Sequence, residues 1–184
     1  MLTHKGTREL RTGRLVLRRV TEGDAEIMYR NWASDDEVTK FLTWPTHESV
    51  EVSRMVIDDW IRNYAHDDYY QWGIEYEGEL IGSIAVVSQS DRIEKAEIGY
   101  CMGRRWWHRG IMTEALGAVV DYLFTEVGMQ RIESRHDPRN PHSGDVMRKC
   151  GMKSEGVRRR SDWNNQGICD AAHYAILREE WERK

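Results

Sequence analysis

Apolar and polar positions change rhythm several times along the chain, and each change marks an element. In RLVLRRV (14–20), Leu15, Leu17 and Arg19 share one face and Val16, Arg18 and Val20 the other, the two-residue period of a strand. Thr21 is placed to cap the next segment, with Asp24 three residues on and Ala25, Met28, Tyr29 and Trp32 at helical spacing. Trp44-Pro45 breaks the chain. Thr46 is then placed to cap a helix of about 17 residues, with a stripe that includes Val50, Ile57, Ile61 and Tyr64. Residues 69–88 read as two apolar runs around Glu77-Gly78-Glu79, a hairpin signal, and residues 95–103 as a further strand. Residues 110–127 form the strongest helical pattern, closed near Gly128. A strand at 131–137, a short helix at 141–150 and strands at 152–160 and 169–178 complete the order β-α-α-β-β-β-α-β-α-β-β. Strands that come in runs predict an α/β (α+β) fold with one mixed sheet and helices on its faces, not a repeating barrel.

Composition narrows the class. No repeat, low-complexity tract or Pro/Ser-rich linker divides the 184 residues, so a single domain over 1–184 is expected, with a core of about residues 11–180. With 32% charged and 40% hydrophobic residues the chain reads as globular rather than disordered. A net charge of −4 argues against a protein that wraps nucleic acid. Cys101, Cys150 and Cys169 are odd in number and far apart, which fits reduced thiols better than a disulfide framework, and no Cys/His spacing points to zinc or another metal. MLTHKGTREL lacks the apolar core of a signal peptide, and no run approaches the ~20 apolar residues of a membrane span, so a cytoplasmic location is the default expectation.

The stretch RRWWHRGIMTEAL (104–116) carries the first chemistry. It places a basic cluster and a Trp pair before Gly110 and the helical run Ile111, Ala115, Leu116, Val119, Val120, Leu123. A helix start presents unpaired N–H groups and partial positive charge and so favours anions. Gly110 allows close backbone approach, Arg109 adds charge and Thr113 a hydroxyl. On these residues alone, a plain strand–helix turn that needs one glycine is at least as good a reading as a pyrophosphate cradle. Neither a Walker A loop nor GxGxxG is present.

The ordered set EIGYCM, WWHRGIMTEAL and NPHSGDVMRKCGMKSEG, preceded by RTGRLVLRRVTEGD (11–24), resembles the GNAT acetyltransferase superfamily in its RimJ/RimL-like branch, over nearly the whole chain. The family's Gln/Arg-x-x-Gly-x-Gly/Ala signature falls on Trp107, His108, Arg109, Gly110, Ile111 and Met112, so Trp107 replaces Gln/Arg and Met112 replaces Gly/Ala. Its Asn-x-x-Ser element falls on Asn140–Ser143, and Lys-x-Gly-Phe-x-x-Glu-Gly on Lys149–Gly156. The resemblance implies a GNAT-like, mostly antiparallel twisted sheet with helices on both faces, and acetyl-CoA as cosubstrate without a metal. It implies that the strands at 95–103 and 131–137 splay apart to admit pantetheine, that backbone near Cys101 and Met102 faces the thioester, and that residues 108–113 hold the pyrophosphate. The family transfers directly, so Cys101 is not expected to be a nucleophile. Met147 falls where many members carry a tyrosine general acid.

Two candidate catalytic residues follow. Glu97 shares a strand face with Gly99 and Cys101 beside the expected gap, and reads either as the base that deprotonates the acceptor or as half of a cross-strand ion pair. Ser143 is the nearest hydroxyl the motif offers to the leaving sulfur, with a helix-start role as the alternative. Asn140 reads as a pantetheine contact and as the N-cap before Pro141, two roles that can coexist. His136 and His142 lack a third ligand and read as surface residues. Trp60 and Trp72 are assigned to the core and Trp44 to the rim of an acceptor pocket. Residues 161–170 read as a polar turn whose Trp163 touches the acceptor or a second subunit, which leaves a homodimer open. The expected activity is N-acetyl transfer to a primary amine, on a protein N-terminus or a small molecule, with no nucleic acid or membrane partner. A transferase using another acyl-CoA and a non-catalytic acyl-CoA sensor are the alternatives.

Overall fold

The computed structural model describes residues 2–183. Its frame is one eight-stranded sheet: β1 (Leu10–Arg11), β2 (Leu15–Arg18), β3 (Gln71–Tyr76), β4 (Glu79–Ser90), β5 (Lys95–Met102), β6 (Arg131–His136), β7 (Lys153–Asn164) and β8 (Gly167–Leu177). The spatial order is β1-β2-β3-β4-β5-β6-β8-β7. Every neighbouring pair is antiparallel except β5–β6, which is parallel. The helices are α1 (Ala25–Met28), α2 (Asp36–Thr39), α3 (Val50–Asn63), α4 (Ile111–Tyr122), α5 (Pro141–Lys149) and α6 (Arg178–Trp181).

The β3–β4 hairpin turns on Glu77 (φ +52°) and Gly78 (φ +79°), the two left-handed positions that match strand twist in a two-residue loop. The start of α1 is also as expected: the Asp24 carboxylate accepts the Thr21 backbone N–H at 2.7 Å. Buried, it also pairs with Arg18 at 2.8 and 3.0 Å. In α4, Ile111, Ala115, Leu116, Val119 and Val120 are all buried. Burial of an Ile, Leu or Val side chain contributes about 1.5–3 kcal/mol, which outweighs the few tenths that β-branched residues lose in helix propensity. A wide turn over Leu123–Val127 then ends at Gly128 (φ +93°), whose N–H donates to the Leu123 carbonyl at 3.0 Å. This stripe joins Leu15, Leu17, Trp72, Ile74, Ile98 and Ile132 in the larger core, while Val20, Met28, Trp32, Ile57 and Leu80 form a second.

Two expectations need correction. The long helix does not start at Thr46. Thr46 Oγ1 donates to Asp36 Oδ1 and shares a bond with Thr39 Oγ1, both at 2.6 Å, so it is tied to α2, and α3 begins after Ser49. Residues 161–170 are not a polar turn either. The final hairpin pairs up to Asn164↔Gly167, so only Asn165 and Gln166 form the loop. Within it, the register shifts between Arg158 and Asp162, with Arg160 at φ +49°. That bulge re-aims the strand next to the site described below.

Candidate active site

The parallel contact between β5 and β6 is short. Lys95, Ala96 and Glu97 pair with Arg131, Ile132 and Glu133. The buried Ser134 hydroxyl then donates to the Ile98 carbonyl at 2.7 Å, and there the strands part. β5 stays paired with β4 as far as Met102, and β6 with β8 as far as His136, so each strand follows its outer neighbour and a fork opens between them. A cavity of about 840 Å³ passes through this fork.

One mouth of the cavity is framed by residues 108–113 and by Asn140–Ser143 at the start of α5. Gly110 is the N-cap of α4 in the left-handed region (φ +72°). The first intrahelical bond runs from Glu114 N to Gly110 O at 3.1 Å, which leaves the N–H groups of Ile111, Met112 and Thr113 without intrahelical partners. Ile111 and Met112 bury their side chains, so they offer the cavity backbone only. The loop is braced from behind. Arg14 donates to the Arg109 carbonyl at 3.0 Å and pairs with Glu114 at 2.7 Å, and Thr12 Oγ1 donates to Glu114 at 2.5 Å. Trp107 Nε1 donates to the Met102 carbonyl at 2.8 Å, so this ring closes the loop on itself. His108 (φ +61°) sets its ring edge-to-face on His142 at 4.7 Å.

Cys101 and Met102 line the cavity at the fork. Burial pushes the Cys101 thiol up, which keeps it protonated, and Ser83 Oγ lies 3.5 Å from its sulfur. Asn140 occupies the N-cap of α5 with Pro141 at the first turn, yet its side chain makes no capping bond, and the residue lines the cavity. The Ser143 hydroxyl donates to the Tyr100 hydroxyl at 3.2 Å, and Tyr100 donates to the Ser143 carbonyl at 2.9 Å. Burial pushes the Tyr100 phenol well up, so it stays a proton donor. Met147 is buried in the core.

On the opposite mouth, Glu97 is paired with Arg135, which also binds Asp162 at 2.5 Å. The ion pair foreseen for Glu97 is therefore present, and one guanidinium serves two carboxylates. Asp162 and Tyr100 were absent from the sequence-derived candidates. Asp162 lies inside the segment that reads as a turn in sequence, at the end of the Arg158–Asp162 register shift in β7. The walls on this side are aromatic: Phe41, Trp44, Trp60 and Trp163. Trp72 is fully buried, and Trp60 is half-buried, packed against the second core while also lining the cavity. Asn165 holds the wall in place, donating to the Thr39, Leu42 and Trp44 carbonyls at 2.8, 3.1 and 2.8 Å. The Arg139 guanidinium beside Asp137 holds that carboxyl far below its ordinary range, and Asn164 donates to it at 2.9 Å. Among the described residues no group of three or more His, Cys, Asp or Glu is arranged to hold a metal, and no helix is long and apolar enough to cross a membrane.

The sheet is thus forked, with an uncapped helix start at one mouth of the cavity and paired carboxylates at the other. Residues 14–153 match the family model for the acetyltransferase (GNAT) domain. The chain is 33% identical over 171 residues to the uncharacterized N-acetyltransferase YoaA of Bacillus subtilis (strain 168), covering 92% of this chain and 96% of that one. A shorter stretch of 59 residues, 32% of this chain and 30% of the relative, is 36% identical to the ribosomal protein uS5-alanine N-acetyltransferase of Escherichia coli (strain K12). The solved structure of RimL, a ribosomal L7/L12 alpha-N-protein acetyltransferase in complex with coenzyme A, superposes with a TM-score of 0.83 at 20% identity, over 92% of this chain and 98% of that one. The chain belongs to the GNAT acetyltransferase family. It is an N-acetyltransferase, and its relatives include ribosomal-protein acetyltransferases of the RimJ/RimL-like kind.

Proposed function

We propose that this N-acetyltransferase takes its acetyl group from acetyl-CoA and passes it directly to a primary amine, with a free protein N-terminus as the favoured acceptor. The observation that carries the reading is the cavity through the β5–β6 fork, with anion-binding backbone at one mouth and carboxylates at the other. The chain's own groups fit such a cosubstrate: the open N–H groups of residues 111–113 beside Arg109 suit phosphates, and Asn140 is free to meet an amide. Acetyl-CoA supplies a thioester whose C–S bond breaks as the amine forms the new C–N bond.

The residues divide the remaining work. Backbone N–H groups from Gly110 to Thr113, with His108 and Arg109, hold the phosphates. Backbone at Cys101 and Met102 orients the carbonyl. Arg135 with Glu97 and Asp162 carries a net charge of one negative unit, which draws an ammonium toward the fork. Glu97 takes the proton that makes the amine nucleophilic, directly or through a water. Ser143 turns its hydroxyl from Tyr100 to donate a hydrogen bond to the sulfur as it leaves, and the thiolate takes its proton from solvent. The RimL and uS5 enzymes are named for protein substrates, which favours an N-terminus over a small molecule.

The test is thiol release from acetyl-CoA across peptides with free N-termini, polyamines and aminoglycosides. Release with free N-terminal peptides and none with N-blocked ones supports the reading. Release only with polyamines or aminoglycosides keeps the transferase and overturns the protein acceptor. No release with any amine, despite tight acetyl-CoA binding, overturns catalysis.

A further inference from the structure

His108 and His142 come from different elements and meet at the cavity mouth. His108 lies in the loop before α4, held in the left-handed region at φ +61°, which non-glycine residues adopt uncommonly. His142 is the second residue of α5. Their rings sit edge-to-face, 4.7 Å between centroids and 80° between planes. The pair thus spans the starts of two helices that open into one cavity.

We propose that His108 and His142 form a proton-linked phosphate clamp, which takes up a proton when the phosphates of the cosubstrate seat between the starts of α4 and α5. The proposal rests on the acetyl-CoA reading above. A neutral imidazole offers one N–H donor and an imidazolium two, and charge-assisted bonds to phosphate are the stronger kind. An anion seated beside an imidazole favours its charged form, so phosphate binding draws a proton from solvent onto the pair. The other groups facing the pair are four basic side chains, one carboxylate and a third histidine. Arg109, Arg139 and Lys149 line the mouth, and Arg14 is bonded to the Arg109 carbonyl. Asp145 lies 3.9 Å from His142 Nδ1 and is already paired with Arg148. His136 lines the cavity too, but its Nδ1 donates to the Asp137 carbonyl at 2.9 Å and its ring packs on Tyr174.

The probe is 3′-dephospho-CoA. Its pyrophosphate does not titrate near neutral pH, whereas the extra phosphate monoester of CoA does, at about 6. Calorimetry near neutral pH in buffers of different ionisation enthalpy reads the proton uptake directly. The expected result is net uptake, with affinity falling roughly tenfold as pH rises from about 6 to about 8. His142→Asn should reduce the uptake, and the double variant His108→Ala with His142→Ala should abolish it, leaving weaker binding that no longer depends on pH. Both rings are exposed, and thermal melts confirm that the variants fold. Binding without proton uptake, or the same uptake in the double variant, overturns the clamp alone. No binding of either 3′-dephospho-CoA or CoA overturns the acetyl-CoA reading and the clamp with it.

Discussion

Tyr100 and Ser143 hold each other at the fork: the phenol donates to the Ser143 carbonyl at 2.9 Å and accepts from the Ser143 hydroxyl at 3.2 Å. The first contact survives loss of the serine hydroxyl, because it uses the backbone. Ser143→Ala therefore tests chemistry with little disturbance of the start of α5. A thiol of ordinary acidity leaves readily, so the help from a hydroxyl is modest. We expect single-turnover rates to fall roughly tenfold, or ~1.4 kcal/mol, with a stability loss below about 1 kcal/mol. A destabilised variant with full turnover per folded molecule would make Ser143 a helix-start residue only.

Glu97 works against a bound guanidinium. Glu97→Gln leaves Arg135 its contact with Asp162 and removes one of the two negative charges at this mouth. Turnover at neutral pH should drop by ~10²-fold or more while acetyl-CoA affinity stays unchanged. The loss should shrink at high pH, where more of the amine is already neutral. Wild-type turnover at neutral pH would reduce Glu97 to the ion pair that the structure shows.

His47 supports the aromatic wall from beneath. It is buried, lies 2.7 Å from Ser53 Oγ through Nδ1, and packs on Trp44 at 5.2 Å. Burial holds its imidazole below the ordinary value. The unfolded chain then binds the proton more readily, so the contribution of His47 is complete above about pH 6.5 and is lost as pH falls below that value. Burial lowers His173 as well, with the same sign. Melting temperatures measured from about pH 8 down to about pH 5 should fall less steeply for His47→Asn than for wild type. Equal slopes would contradict the assignment.

The elements were largely legible because their signals are local. The Glu77-Gly78 turn, the Thr21–Asp24 cap and the apolar stripe of α4 each sit within a few residues of sequence. What the sequence pattern missed depends on partners far along the chain. Thr46 looks like a helix cap until Asp36 and Thr39 claim its hydroxyl. The polar run 161–164 becomes strand because backbone pairing across a two-residue loop outweighs composition. Cross-strand pairing was foreseen for Glu97, but its partner was not, since Arg135 sits 38 residues away on a strand that β5 touches only briefly. Tyr100 meets Ser143 across 43 residues of sequence, a contact no local pattern encodes.

The central claim is that the start of α4 binds the phosphates of acetyl-CoA through a backbone that only Gly110 allows. A Cβ built there meets nothing closer than Arg14 Nη2 at 3.7 Å, so the obstacle to a side chain is conformation, not crowding. At φ +72° a β-branched residue is strained by about 1–2 kcal/mol or more, and the loop relieves that strain by turning its N–H groups away from the cavity. Calorimetric titration of acetyl-CoA into wild type and Gly110→Val tests this most directly. The account predicts measurable binding by wild type and affinity at least about tenfold weaker, or lost, in the folded variant. Unchanged affinity in Gly110→Val would remove this helix start from the site.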